Sequence, residues 1–142
     1  MFVGTYTVSL DEKGRVILPA KFRDDLKDGA YMTQAIDGCL AIRSAAEFEV
    51  YARELKEKVQ RGAVERTAVR TLMAGGAEAT PDRQGRITIP PALRTYAGLR
   101  DAVVVTGFLD RIELWNSDRW RQIEAAGSSN LAAAGAGLED LV

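Results

Sequence analysis

The chain has no histidine and only one cysteine, Cys39, among its 142 residues. Zinc sites are built mainly from clusters of these two residue types, so the usual structural and catalytic zinc sites are excluded. General acid–base catalysis by histidine and Ser-His-Asp hydrolysis are excluded for the same reason. A lone cysteine in a predicted strand indicates a small core residue. Only an enzyme that works with carboxylates stays open, and we expect no metal and no cofactor.

Long apolar runs are also missing, since none approaches the roughly 18 residues of a membrane-spanning helix. The opening residues, Met1 to Tyr6, show no basic region followed by an apolar stretch, so we predict no secretion signal. We therefore expect a cytoplasmic protein without a membrane partner.

An excess of charge of one sign is absent too, because the net charge is −1. The charges are nevertheless unevenly distributed. Residues 77–100 carry four arginines against two acidic residues, whereas residues 101–142 carry seven acidic residues against three arginines. Phosphate binding depends on where lysine and arginine lie locally, so the near-neutral total is weak evidence against a DNA partner.

What the chain does have is an internal repeat. Residues 11–23 recur as residues 82–94 at a constant spacing of 71, with Asp, Gly, Arg, Pro and a final Arg in the same places. The apolar positions 16, 18 and 22 are matched by apolar residues at 87, 89 and 93. So many coincidences without a gap indicate a duplication, and hence two structurally similar halves.

Each half is predicted to contain strands around a short helix. Residues 6–10 alternate like a strand, and the Gly14 turn followed by a second alternating run is typical of a β-hairpin. Pro19 favours the first turn of a helix that ends at Gly29. In the second half Pro90-Pro91 begins the equivalent helix and Gly98 ends it, with Leu93, Tyr96 and Ala97 predicted to face inward. The strands that follow are predicted at residues 30–36, 39–43, 102–108 and 111–115.

Linking helices are predicted between the halves. Ser44 and Glu47 form a capping-box pattern before a helix with apolar residues at helical spacing. A second helix runs from about Val64 to Ala74 and ends at two glycines. We divide the chain into a first half with its following helix (1–60), a linking helix (61–76), a second half (77–126) and a flexible tail rich in Ala and Gly (127–142).

The loops that begin each repeat are the candidate functional sites. Arg15 and Arg86 each follow a glycine and lie four residues after an aspartate, Asp11 or Asp82. A carboxylate beside a guanidinium can hold it in one orientation, which suits two-point contact with guanine in the major groove of DNA. Residues at the loop tips, Lys13 and Arg83, are predicted to reach phosphates, while Gly14 and Gly85 form the turns.

Simpler interpretations stay open for several of these residues. A single Asp–Arg pair is more simply interpreted as a surface ion pair that holds a hairpin, but such pairs stabilise a fold by only about 0–1 kcal/mol, and the duplication favours a function. Arg23 and Arg94 are predicted to contact the carbonyl ends of their own helices or a nearby aspartate. Trp115 and Trp120 are predicted to pack rather than to stack on bases. A catalytic pair of Asp11 and Asp82 is disfavoured, because an adjacent arginine keeps each carboxylate ionised.

At these residues the chain resembles the MraZ family of bacterial regulators over nearly its whole length. The resemblance rests on the opening residues 1–6, the blocks 10–15 and 18–23, Arg66 and Arg70 in the linking helix, and residues 81–99. It implies an α+β fold, the swapped-hairpin AbrB-like barrel, in which two tandem β-α-β repeats interlock within one chain and are joined by linking helices.

The resemblance also implies a function. Family members form ring-shaped homo-oligomers and bind short direct repeats in promoter DNA upstream of the division and cell-wall gene cluster, through the repeated loops. The family's Asp and Arg fall on Asp11, Arg15, Asp82 and Arg86. We therefore expect a nucleoid-associated transcription regulator whose partners are double-stranded DNA and further copies of itself, with no small-molecule substrate. The alternative is an AbrB-like antitoxin module that binds a protein, and an enzyme is disfavoured because no nucleophile–base pair is visible.

Overall fold

Five helices and two sheets form the computed structural model, which describes residues 1–134 and 137–138. The first half contains β1 (Thr5–Ser9), β2 (Arg15–Ile17), α1 (Ala20–Arg23), β3 (Ala30–Gln34), β4 (Leu40–Ser44) and α2 (Ala45–Gln60). The link is α3 (Arg66–Ala74). The second half contains β5 (Ala77–Glu78), β6 (Arg86–Thr88), α4 (Pro91–Ala97), β7 (Ala102–Phe108), β8 (Arg111–Asn116) and α5 (Ser117–Ala134). In the described part of the chain, no helix combines the length and apolar character that crossing a membrane requires.

The two halves exchange strands. The large sheet has the order β1-β7-β8-β4-β3-β5, and the small one consists of β2 and β6. The first strand of each half therefore pairs with the third strand of the other half, and the two second strands pair with each other. The expected interlocking of two β-α-β halves in an α+β fold is confirmed.

One local prediction was wrong. Residues 6–10 and 15–18 do not pair as a hairpin, because β1 lies along β7 and β2 lies along β6. Only the turn itself is closed, by the Asp11 amide, which donates to the Arg15 carbonyl at 2.8 Å. The alternating pattern was correct, but burial of both apolar faces selects partners from the other half.

The core lies between the large sheet and the two short helices. Leu18, Phe22 and their counterparts Ile89 and Leu93 are at most 1% exposed. The halves meet where β4 and β8 pair, with Ala41 opposite Glu113, so one apolar cluster serves both halves. Because each half leaves its apolar face open until the other covers it, the two halves fold as one body.

The outward face of the large sheet carries a smaller cluster. Cys39 is fully buried there beside Trp115, whose ring centre lies 5.7 Å from that of Trp120. The predicted packing roles of these three residues are confirmed. Burial raises the pKa of the Cys39 thiol to about 12, so the thiolate is disfavoured and the residue is a core side chain.

Several predicted boundaries shift. The third strand ends at Gln34 rather than at 36, because residues Ile36–Gly38 form a 3-10 turn in which Asp37 has a φ of 70°. Tyr96 is 38% exposed and not inward, and its hydroxyl donates to the carbonyl of Ala35 at 2.7 Å.

The predicted tail begins inside a helix. Helix α5 continues past residue 126 to Ala134, since alanine is the strongest helix former and outweighs a single Gly127. Of the remaining tail, residues 135–136 and 139–142 lie outside the described residues.

Candidate nucleic-acid interface

The first loop is a turn closed by the carboxylate of Asp11. Its Oδ1 accepts the backbone N–H groups of Lys13 and Arg15, both at 2.9 Å, and its Oδ2 accepts the Arg15 Nε–H at 2.8 Å. Gly14, with a φ of 76°, supplies the left-handed residue that lets the chain reverse. The guanidinium of Arg15 is thus fixed at its Nε, while its two terminal amino groups are left for a partner.

The second loop reproduces this geometry. Asp82 accepts the N–H groups of Gln84 and Arg86 at 2.9 Å and the Arg86 Nε–H at 2.8 Å. Gly85 has a φ of 80°. Two sequences that differ at their central residues therefore form the same turn, because those residues contribute only a backbone N–H group to its hydrogen bonds.

Hydrogen bonds to the charged form lower the pKa of both carboxyl groups. The backbone N–H of Arg15 has the largest effect on Asp11, and the backbone N–H of Arg86 has the largest effect on Asp82. Both carboxylates are consequently ionised at neutral pH, which is what holding a guanidinium requires and what a general acid cannot be.

Pairing of β2 with β6 places the two arginines on the same face, one at each end of the strand pair. Val16 and Ile87 point into the core, so the alternate residues of both strands face outward. Arg86 is opposite Ile17, two residues beyond Arg15. This offset corresponds to about 7 Å along the strands and about 5 Å across them. The backbone positions of the two arginines are therefore closer together than the width of one major groove, which is about 12 Å.

Two residues on this outward face were missed by the sequence analysis. Ile17 is 52% exposed and lies between the arginines, and Thr88 is opposite Arg15. Their signal was present in the alternation of the strand, since residues two apart share a face. An exposed isoleucine beside two arginines is an apolar surface of the kind that contacts thymine methyl groups in the major groove of DNA.

The tips of the loops project away from the core. Lys13 and Arg83, the predicted phosphate contacts, are exposed, as are their neighbours Glu12 and Gln84. All eight residues predicted as the site therefore fall on the two turns at opposite ends of the β2–β6 sheet. The buried members are Gly14 and Gly85, over which side chains of the other half pack.

The roles predicted for Arg23 and Arg94 were wrong. Arg23 Nε–H donates to the carbonyl of Leu18 at 2.8 Å, and Arg94 Nη1–H donates to that of Ile89 at 3.0 Å. These carbonyls precede the short helices, whereas the predicted contacts lay at the helix ends. The strand exchange explains the difference, because it fills the space around each arginine with a loop from the other half.

Each arginine lies directly under the opposite loop. A Cβ atom added to Gly14 would lie 1.4 Å from Nη1 of Arg94, and one added to Gly85 would lie 2.2 Å from Nε of Arg23. The backbones are joined as well, since Leu18 N–H donates to the Gly85 carbonyl at 2.9 Å. Each candidate loop is therefore supported by the half of the chain to which it does not belong.

The sequence is similar to those of known proteins. A family model described as "MraZ protein, putative antitoxin-like" matches the chain twice, over residues 1–71 and 72–138. The two matches correspond to the two copies of the repeat.

Curated relatives cover most of the chain. A protein of Paenarthrobacter aurescens (strain TC1) named "Transcriptional regulator MraZ" is 43% identical over 122 residues, which is 86% of this chain and 85% of the relative. A protein of the same name from Mycolicibacterium gilvum (strain PYR-GCK) is 44% identical over 135 residues, or 94% of each chain. One from Cutibacterium acnes is 44% identical over 126 residues, or 89% of each chain.

Proposed function

Because the chain belongs to the MraZ family, we propose that it is a transcription regulator that binds specific DNA sequences through its two Asp-x-x-Gly-Arg loops. The observation that carries the proposal is the pair of arginines, Arg15 and Arg86, each fixed by an aspartate on one outward face. A guanidinium held at Nε loses little side-chain entropy on binding and keeps two amino groups for the O6 and N7 atoms of guanine.

Stability alone does not account for this arrangement. The Asp11–Arg15 and Asp82–Arg86 ion pairs are partly exposed, and pairs of that kind contribute about 0–1 kcal/mol. The same pair twice on one surface, with exposed Lys13 or Arg83 at the tips, matches a site that reads bases and binds phosphates.

The arginines provide the test. Arg15→Ala and Arg86→Ala should each weaken binding to the DNA upstream of the chain's own start codon by about 1–3 kcal/mol, with unchanged folding. Arg121→Ala, at an exposed arginine of α5, is the matched control and should bind like the original chain. If both single variants and the double variant keep full affinity, the loops are structural and the proposal is wrong.

We further propose that several chains act together as a ring on direct repeats before the division and cell-wall gene cluster, on the nucleoid in the cytoplasm. Helices α2 and α3 support this, because neither contains a buried residue although both carry apolar stripes. Neighbouring subunits raise each other's effective concentration at successive repeats, and avidity then rises by about 10²–10⁴.

Assembly is measured separately from DNA binding. Light scattering should give a mass several times the 15.5 kDa of one chain. DNA with several repeats should bind far more tightly than DNA with one, and half-turn insertions between repeats should abolish the gain. A monomer that binds one repeat as tightly as three would contradict the ring and leave the loop proposal standing.

An antitoxin-like module that binds a protein is the second candidate, and the family description names that likeness. The complete second loop favours DNA, because a single hairpin block followed by a disordered segment is the arrangement usual for such antitoxins. Filter binding of promoter DNA by the isolated protein separates the two.

A further inference from the structure

A cleft lies on the outward face of the large sheet, on the opposite side from the core. Helix α2 packs on β3 and β4, and α5 packs on β7 and β8, so the two helices flank the sheet's central strands. The space between them is about 760 Å³, in the range of small-molecule sites. None of the residues in the Asp-x-x-Gly-Arg loops lines it.

Aromatic rings form much of the cleft wall. Tyr51 contributes from α2, Phe108 and Trp115 from the sheet, and Trp120 from α5. Phe108 is half exposed, and Ile123 and Leu131 extend the apolar surface along α5. Flat rings around a concave space favour a ligand with an aromatic or apolar body.

Arg43 is the charged group at the base of this cleft. Its side chain belongs to β4, it is only 7% exposed, and its guanidinium lies 3.7 Å from the centre of the Tyr51 ring. No carboxylate within residues 1–134 forms an ion pair with it. Burial, which is the largest effect, lowers the pKa of the guanidinium, and the negative charges of Asp110 and Glu113 offset this lowering only in part.

The neighbouring acids compensate this charge only in part. Glu113 accepts Arg111 Nε–H at 3.1 Å and Trp115 Nε1–H at 3.3 Å, so its carboxylate is already paired. Asp37 and Glu124 also line the cleft, but both are exposed to water that screens them. Among the residues that the structure describes, none forms an ion pair with Arg43, which lies beside the aromatic ring of Tyr51.

We propose that this cleft binds a small organic anion, with its carboxylate or phosphate on Arg43 and its aromatic or apolar body against Tyr51, Trp115 and Trp120. Such a ligand supplies the charge that Arg43 lacks and covers the rings that water now contacts. It is a bound ligand and not a substrate, and the site is independent of DNA binding by the loops.

The test uses two fluorescent probes of similar shape: anilinonaphthalene sulfonate, which is an anion, and phenylnaphthylamine, which is neutral. The chain has only two tryptophans, Trp115 and Trp120, and both line the cleft, so energy transfer from tryptophan reports probe bound there. Arg43→Gln should weaken binding of the anionic probe about 10- to 100-fold and leave the neutral probe nearly unchanged.

Two further variants complete the design. Arg53→Gln makes the same change at an exposed arginine outside the cleft and should alter neither affinity. Ser128→Asp adds a negative charge at an exposed position of the wall, so it should weaken only the anionic probe even if Arg43→Gln does not fold.

Three results would overturn the proposal. The first is anionic binding that is equal in Arg43→Gln, Ser128→Asp and the original chain. The second is no energy transfer from either probe. The third is transfer that appears only when an oligomer is diluted to single chains, because the cleft would then be an interface between copies.

Discussion

The two loops are alike in their hydrogen bonds and unlike in their tips. Both turns contain an aspartate that accepts two backbone amides and an arginine Nε, with matching distances in the two copies. Between these anchors the first loop has Glu12 and Lys13, whereas the second has Arg83 and Gln84. The first loop thus carries two acidic and two basic residues, whereas the second loop carries one acidic and two basic residues.

The strands that lead into the loops differ even more. Strand β1 pairs with β7 over five residues, but β5 pairs with β3 over only two. The loops keep one geometry all the same, because each is held by its own aspartate and by the opposite half rather than by the strand before it. The two copies therefore share the geometry of the turn but differ in the charges at its tip.

The largest effect on stability should come from substituting the glycines of the two loops. Gly14→Ala and Gly85→Ala force a left-handed alanine and push Arg94 or Arg23 away from the carbonyl it binds. The backbone strain costs about 1 kcal/mol and the lost hydrogen bond about another. We expect each variant to lose about 2 kcal/mol in the free energy of unfolding measured with urea.

Gly62→Ala separates these two contributions. Gly62 has a φ of 74°, like the loop glycines, but nothing lies within 4 Å of an added Cβ. It should therefore lose only the strain, about 1 kcal/mol. Equal losses at positions 14 and 62 would show that the Arg94 contact contributes nothing.

Substituting Arg23 or Arg94 should reveal that each loop is supported by the opposite half of the chain. Arg94→Ala and Arg23→Ala each remove one hydrogen bond to a backbone carbonyl, so we expect losses of about 1 kcal/mol. Amide NMR shifts should change in the opposite loop, at Gly14 for Arg94→Ala and at Gly85 for Arg23→Ala. Changes confined to the mutated half, or the same changes in the exposed control Arg100→Ala, would contradict the support.

Exchanging the residues at the loop tips should change only the salt dependence of DNA binding. Lys13→Gln gives the first loop the residue of the second, and Gln84→Lys does the reverse. We expect the slope of log affinity against log salt to become shallower by about 1 in Lys13→Gln and steeper by about 1 in Gln84→Lys. Base preference, measured on single-base operator variants, should stay the same. A change in preference without a change in slope would mean that the tips read bases.

The smallest expected effect is on the free energy of unfolding at acidic pH. Because the folded-state pKa of Asp11 and Asp82 is lowered, their stabilisation is present above the unfolded pKa, near 4, and disappears as pH falls through the folded value. Asp11→Asn and Asp82→Asn should each flatten the fall in unfolding free energy between neutral pH and pH 2, measured with urea. Asp28→Asn, at an exposed residue outside the loops, is the control. Both loop carboxylates face water, so the flattening should be small, and none at all would contradict the pKa shifts.

The turns were predictable from the sequence because their hydrogen bonds join residues at most four apart. Asp11, Gly14 and Arg15 contain all that the first turn needs, and the repeat at 82–86 marked the second. Buried positions such as Val16 and Leu93 followed from their alternation or helical spacing in the same way. The helical continuation of α5 past residue 126 was missed because the glycine and serine content outweighed the alanines in that prediction.

Only the tertiary structure decided which partners these local elements take. The alternation of β1 and β2 fits a hairpin as well as an exchange, and pairing between residues 69 to 101 positions apart leaves no trace in local spacing. The support of Gly14 by Arg94, the shared face of Arg15 and Arg86, and the burial of Arg43 all follow from that exchange and from packing across the sheet. A single sequence records turn chemistry because it acts between neighbours, whereas long-range pairing is selected by burial of the whole core.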